Sequence, residues 1–338
     1  MVLRLGVVLL AWFCSMPVVA HHSRSAFALN ESITVRGQVT EVGWTNPHYY
    51  LVVNDARNGL EWTFEGHSIP GLVRSGWSRE TLRVGEWVSV VANPNKQANL
   101  HFGLLKNVTK ASGETYYSFK PPRKEDSVQV KPSTDFTGTW RLIRSLRDNL
   151  LSPDGPPAWP YSERGASQVG KYNPSLDPSV SCRPRGVPRM LEWPYAQQWR
   201  LTDPGMVVSI EHAVEERLFN FAAPASLQED SQEDLLGLGV SVVLEQSPNR
   251  MVVTTSGFRD KAWGLVRGID SSVSKHLTET YELIEDGLKM KLTYTVFDTA
   301  YLTQPAEATF YFAKVADYVF ADEPVCDITT AQRHLKYE

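Results

Sequence analysis

The chain has 338 residues, 42% of them hydrophobic and 21% charged, with a formal net charge of −4. That balance excludes extended disorder, coiled coil and collagen, and a net acidic chain has no basic footprint for nucleic acid. The length corresponds to two domains at roughly 150 residues each, and 11% aromatic residues favour β structure or aromatic-lined pockets.

Residues 1–20 read as a secretory signal peptide. Arg4 supplies the positive start, Leu5 to Phe13 the apolar run, and Val18-Val19-Ala20 a small-residue cleavage site. The run is shorter than the about 20 apolar residues of a membrane span, and no second such run follows. The expectation is a periplasmic or secreted protein, cleaved near Ala20, with no integral membrane span. Cleavage would move the formal charge from −4 to −5 and remove Cys14, leaving Cys182 and Cys326. An even pair in an exported chain is read as one disulfide. It would span 144 residues, a closure worth about 4–5 kcal/mol on the chain-entropy argument. Two free buried thiols are the alternative.

Alternation begins at residues 34–42, with further strands expected at 49–53 and 60–65, the last two separated by the turn Asn58-Gly59. Ser68-Ile69-Pro70 opens a short helix, with Ser68 as cap and Leu72 and Val73 as its apolar side. Strands at 87–92 and 100–109 complete the order β-β-β-α-β-β, which is that of a small OB-type barrel over residues 21–110. Residues 111–134 are polar and carry Pro121-Pro122-Arg123-Lys124-Glu125-Asp126, a linker pattern. Residues 146–205 are rich in Pro, Gly and Trp and read as extended chain pinned by Cys182, not as helix. Strands return at 206–212, 215–221, 240–245, 250–255, 275–284, 288–297 and 306–314, an antiparallel lipocalin-like barrel or sandwich over residues 135–338. An acidic loop or short helix is expected at 226–236. The fold class is therefore all-β, a five-stranded barrel followed by a larger one.

Ala20-His21-His22-Ser23 and Trp44-Thr45-Asn46-Pro47-His48, with Trp62, Glu65, Arg74-Ser75-Gly76-Trp77 and Gly85, resemble an uncharacterised family of secreted bacterial proteins over about residues 20–108. The resemblance implies no known activity. Cys182-Arg183-Pro184-Arg185-Gly186-Val187-Pro188-Arg189, Thr255-Ser256-Gly257-Phe258, Ser274 to Glu279 and Cys326 look like the pattern of a second uncharacterised secreted family. Thr280 departs from that pattern, in which an Arg commonly follows the Glu. Phe136-Thr137-Gly138-Thr139-Trp140-Arg141 resembles the Gly-x-Trp opening of lipocalins.

Two constellations are chemically suggestive. Cleavage after Ala20 would expose His21, whose α-amine and imidazole can chelate copper, with His22 or His48 as the further ligand. The alternative is a flexible terminus and a turn histidine at His48. Copper is the one cofactor considered. The second constellation is Glu279. Period-two alternation places it inward with Leu277, Tyr281 and Leu283, as it places Leu288, Met290, Leu292, Tyr294 and Val296 of the next strand. A carboxylate there is either anchored by Arg217, Arg189 or a Tyr, or raised in pKa and used as a general acid or base with His276, Glu211, His212, Arg217 and Asp298 on neighbouring strands. Trp263, Tyr281 and Tyr294 are candidate ligand contacts. Trp159, Trp193, Trp199 and Trp263 line a pocket or fill a core. Gly-x-Ser-x-Gly, P-loop, GxGxxG and HExxH patterns are absent. The leading reading is an exported protein that binds a small apolar or amphipathic molecule in its second barrel. The alternatives are a cofactor-free isomerase, hydratase or cyclase using Glu279, and a copper-binding module at His21.

Overall fold

A computed structural model describes residues 26–119, 131–143, 156–171, 173–193, 195–211, 216–222, 237–316, 318, 320, 326–333 and 335. The signal-peptide reading, His21, His22, His212 and the acidic stretch 226–236 lie outside them. Two closed β-barrels follow one another.

The first is built from β1 (Ile33–Gly43), β2 (Tyr50–Asp55), β3 (Glu61–Glu65), the short helix α1 (Ile69–Arg74), β4 (Trp87–Pro94) and β5 (Phe102–Lys110). The strand order is β3-β2-β1-β4-β5, and β3 pairs back onto β5 to close the ring. Five strands cannot alternate direction all the way round a ring, so one neighbour pair must be parallel. That pair is β3 and β5, joined at Thr63 opposite Phe102. β6 (Thr115–Tyr117) extends the sheet at the edge of β5, inside the stretch expected to be linker.

The alternation of β1 buries Val35, Gly37 and Val39 and exposes Thr34, Arg36 and Gln38. The register slips between Val39 and Glu41, a bulge that resets the faces before the β1–β2 loop. Gly37 is required where it stands, since a Cβ would lie 1.8 Å from the Asn54 carbonyl oxygen. In α1, Ile69 and Leu72 are buried and Val73 is exposed. The helical period groups residues three apart, not adjacent ones, which corrects the pairing of Leu72 with Val73. Ser68 precedes the helix but makes no capping bond; its hydroxyl meets His67 Nδ1 at 2.9 Å.

The second barrel starts at β7 (Gly138–Leu142), the Gly-x-Trp segment. The helix α2 (Glu163–Ala166) and 3-10 turns at Pro174–Leu176, Pro178–Ser181 and Arg189–Glu192 follow. These turns replace the extended chain expected at 146–205. Ser162 accepts from the Gly165 amide and Asp177 from the Ser179 amide, so each starts a helical turn locally. Next come β8 (Ala196–Leu201), β9 (Gly205–Ile210), β10 (Glu216–Asn220), β11 (Val240–Ser247) and β12 (Arg250–Ser256). The hairpin β13 (Lys261–Val266) and β14 (Ile269–Ser271) is a separate two-stranded sheet. β15 (His276–Ile284), β16 (Lys289–Phe297) and β17 (Ala306–Val315) return to the barrel, and α3 (Ile328–Ala331) ends the described chain.

Nine strands, β7 to β12 and β15 to β17, form this closed ring. Nine is again odd, and the one parallel pair is β10 with β11. The remaining neighbours form an antiparallel meander. Met290, Leu292, Tyr294 and Val296 of β16 are all fully buried, as period-two alternation requires. Leu288, expected inward, instead lies in the turn before the strand and is exposed. Trp140, Trp199, Phe219, Phe310 and Phe312 fill the same core.

Candidate functional site

The inward face of the second barrel is largely apolar; Gln197 on β8, which accepts from Trp199 Nε1 at 3.3 Å, is one buried polar group, and a larger polar cluster gathers at Glu279. Glu279 on β15 is fully buried, and Arg217 on β10 is 2% exposed. Arg217 reaches across β11 and β12 to make two parallel bonds to the carboxylate, Nη1 to Oε1 at 2.9 Å and Nη2 to Oε2 at 2.6 Å. Tyr281, two residues along β15 and so on the same face, donates to Oε1 at 2.6 Å. Between the partners, Ser241 on β11 and Thr255 on β12 are 2.8 Å apart, and their hydroxyls accept from Arg217 Nη2 at 3.2 and 3.4 Å. Four neighbouring strands thus each contribute a polar group.

Aromatic rings frame the cluster. The Arg217 guanidinium stands 4.7 Å from the Phe219 ring. Tyr281 meets Trp199 edge-on at 4.8 Å. Tyr294 lies directly opposite Glu279 in the β15–β16 register, and its ring stacks on Phe310 at 5.8 Å.

Burial works against the Arg217 charge, yet the Glu279 carboxylate outweighs it and holds the guanidinium pKa above its ordinary value. Burial, and then the charge of Glu279, push the Tyr281 phenol well up, so it stays a donor. Among the described residues Arg217 Nε has no hydrogen-bond partner. A donor left unpaired in such a setting costs about 1–3 kcal/mol. A buried ion pair is weak evidence of stability, because apolar residues of similar volume usually do as well.

The other candidate residues lie elsewhere. His276 is exposed on the outer face at the start of β15, edge-on to Phe297 at 5.4 Å. Asp298, fully buried, ties a loop: it accepts from the Ser272 amide and hydroxyl, both at 2.6 Å, and from the Ala300 amide at 3.1 Å. Trp263 is buried on β13, outside the barrel wall, with its backbone in the left-handed region at φ +52°. Arg217, Glu279, Tyr281 and Tyr294 therefore come together, whereas His276, Asp298 and Trp263 do not join them. Ser241 and Thr255 were missed. The inward phase of their strands was the available signal.

Cys182 and Cys326 form a disulfide with Cα atoms 5.8 Å apart. It anchors a C-terminal segment that lies on the first barrel. Cys326 bridges Asn46 in parallel fashion, and Thr45 Oγ1 donates to Thr330 Oγ1 at 2.9 Å. Arg333 covers the Tyr50 ring at 3.5 Å and pairs with Glu41 at 3.6 Å. The Trp44–His48 motif is thus the loop on which the tail docks. A second contact joins the barrels: Arg74 of α1 donates to both oxygens of buried Glu211 at 3.0 Å, and Tyr318 donates to Glu211 at 2.6 Å. His48 is exposed in the docking loop. Among the described residues no three His, Cys, Asp or Glu side chains are grouped to hold a metal, and no helix is long and apolar enough to cross a membrane.

The model of a family of unknown function, DUF6152, matches residues 10–104, the first barrel up to the start of β5. No curated protein matches the chain. Among solved structures, a protein of unknown function from the DUF3598 family of Nostoc punctiforme PCC 73102 matches with 12% identity. The match covers 83% of this chain and 95% of that one at a TM-score of 0.21. The N-terminal part of the chain is therefore similar to an uncharacterised family, and the site has to be read from its own chemistry.

Proposed function

We propose that this is an exported binding protein whose second barrel takes a small apolar or amphipathic molecule, with the Arg217–Glu279–Tyr281 cluster holding its polar end. The observation that carries the reading is a charge-balanced polar cluster in a largely apolar interior, with one guanidinium N–H unpaired among the described residues. Stability alone does not call for such a pair. Because Glu279 already neutralises Arg217, the site favours a neutral acceptor such as a hydroxyl, ester or ketone over an anion. Export is inferred from residues 1–20 and supported by the disulfide, which persists in oxidising compartments.

Glu279 accepts three bonds and is fully buried, an arrangement that favours anchoring over proton transfer. The test is native mass spectrometry of protein taken from its own exported fraction. The expected result is a leaderless chain carrying a neutral organic adduct released on denaturation. An adduct-free chain that also fails to take up the neutral amphiphile N-phenylnaphthylamine would overturn the reading.

A further inference from the structure

The register places the C-terminal ends of β7, β9, β12 and β16 and the N-terminal ends of β8, β10, β11, β15 and β17 at one end of the second barrel. The connections leaving this end carry α2, the three 3-10 turns and the β13–β14 hairpin, which is a sheet of its own outside the ring. Val187, Met190, Leu191, Phe258, Leu265 and Ile269 of these connections are buried in one apolar core with Leu277 and Val296 of the wall. They cap the barrel mouth nearest the polar cluster. Arg217, Ser241 and Thr255 each stand second from this end of their strands, and Glu279 stands fourth.

Two buried cations tie the cap together. Lys275, just before β15, donates to the Val187 carbonyl at 2.8 Å and the Gly264 carbonyl at 3.0 Å, and stands over the Phe258 ring at 4.1 Å. Arg189 pairs with Asp177 at 2.8 Å and donates to the Trp263 carbonyl at 3.4 Å. A third tie comes from outside the second barrel. Asp177 starts the turn Pro178–Ser181, and Cys182 ends it. The disulfide carries the chain path from Cys182 to Cys326, which bridges Asn46 of the first barrel. Beyond it, Thr330 meets Thr45, and Arg333 covers Tyr50. One covalent line therefore runs from the cap of the second barrel to a segment seated on the first.

We propose that this cap is the lid through which the barrel's ligand enters and leaves, and that the Cys182–Cys326 strap, seated on the first barrel, holds it closed. The proposal rests on the reading of the second barrel as a binding site. The cap is the element built to move. It consists of short helical turns and a detached hairpin tied down by side chains, whereas the wall is a ring of backbone ladders, and moving elements are drawn from the less stable parts of a fold. Lifting the cap uncovers the mouth at which Arg217, Ser241 and Thr255 stand. Because the far end of the strap is docked on the first barrel, loosening that dock loosens the lid. A lid closed equally over an empty and an occupied barrel slows entry and exit by the same factor and leaves affinity unchanged. A cap that only fills core has no such kinetic signature.

Entry and exit of N-phenylnaphthylamine are followed by stopped-flow fluorescence in the full mature chain, in Cys182→Ser with Cys326→Ser, and in Arg333→Ala. In the cysteine variant both rates should rise roughly tenfold, the factor given by about 1.4 kcal/mol of lost closure, with Kd within about twofold of the parent. Arg333→Ala leaves the disulfide and the barrel cluster in place and loosens only the dock. It should raise both rates together by a smaller factor, and it tests the strap even if the cysteine variant does not fold. Amide exchange gives a second readout. Val180, Met190 and Leu191 donate to the carbonyls of Asp177, Gly186 and Pro188, and in the variants they should exchange faster than in the parent, ahead of β15 and β16. Unchanged rates in the variants, a change in only one of the two rates, or cap amides that exchange only together with the strands would overturn the lid. A parent that takes up no probe would remove the barrel reading and the lid with it, whereas saturable uptake at rates indifferent to the strap would remove the lid alone.

Discussion

Replacing Glu279 by Leu leaves the Arg217 guanidinium fully enclosed with no counter-charge. The structure sets the size of the effect. The pair is almost entirely buried, so solvent screening does not soften it. The remaining acceptors are two hydroxyls at 3.2 and 3.4 Å. Breaking one partner of a buried pair costs about 3–5 kcal/mol. For a barrel of this size each kcal/mol moves the melting temperature by about 2–4 °C, so the single variant should fall by roughly 6–20 °C. Replacing both partners, Arg217→Met with Glu279→Leu, removes the orphaned charge and should return to within about 1–2 kcal/mol of the parent. Calorimetry on the four proteins closes a double-mutant cycle. Additive single effects, or a fall of less than about 2 °C for Glu279→Leu, would refute the claim that the pair is enclosed and coupled.

Two further outcomes follow from the same structure. Burial works to raise the Asp177 pKa, but Arg189 and Arg185 outweigh it and hold the carboxyl far below its ordinary value. A depressed pKa contributes stability above the unfolded value, about 3.9, and that stability is lost as pH falls below it. Asp177→Asn should therefore cost about 3–5 kcal/mol at pH 7. The gap should narrow as pH drops below about 4, as read by chemical denaturation. An unchanged gap would contradict the assignment. Cys182→Ser with Cys326→Ser opens a loop of 144 residues and should cost up to about 5 kcal/mol by the chain-entropy argument. It should also raise amide exchange at Asp327 and Thr330 before exchange rises in the strands of either barrel. Uniform exchange through both barrels would mean that the bridge does not anchor the docked tail.

Much of the fold was legible because a strand's side chains alternate. The runs at β1, β15 and β16 state their faces openly, and the inward placement of Glu279 follows from its spacing to Leu277 and Tyr281. The helix α1 and the order of the first five strands were legible from the turn at Asn58-Gly59 and from Pro70. β8 was not, since Gln197 is buried and the run Ala-Gln-Gln-Trp-Arg-Leu does not alternate. The short helical turns around Asp177 were hidden by proline density. Arg217 could be named as one partner of Glu279 among several, but only ring closure brings β10 within reach of β15 across two strands. The docking of Trp44–His48 on the C-terminal segment joins residues about 280 apart (Thr45 with Thr330, separated by 285), a distance at which local patterning carries no information.

The central claim is that the second barrel binds a neutral molecule through the Arg217–Glu279–Tyr281 cluster. The most direct measurement is fluorescence titration with N-phenylnaphthylamine, set beside anionic anilinonaphthalene sulfonate, for the parent and for the stable double variant Arg217→Met with Glu279→Leu. Saturable uptake of the neutral probe by the parent, with weaker uptake by the double variant at similar melting temperature, is the predicted result. Equal uptake by both proteins, or a preference of the parent for the anionic probe, would contradict it.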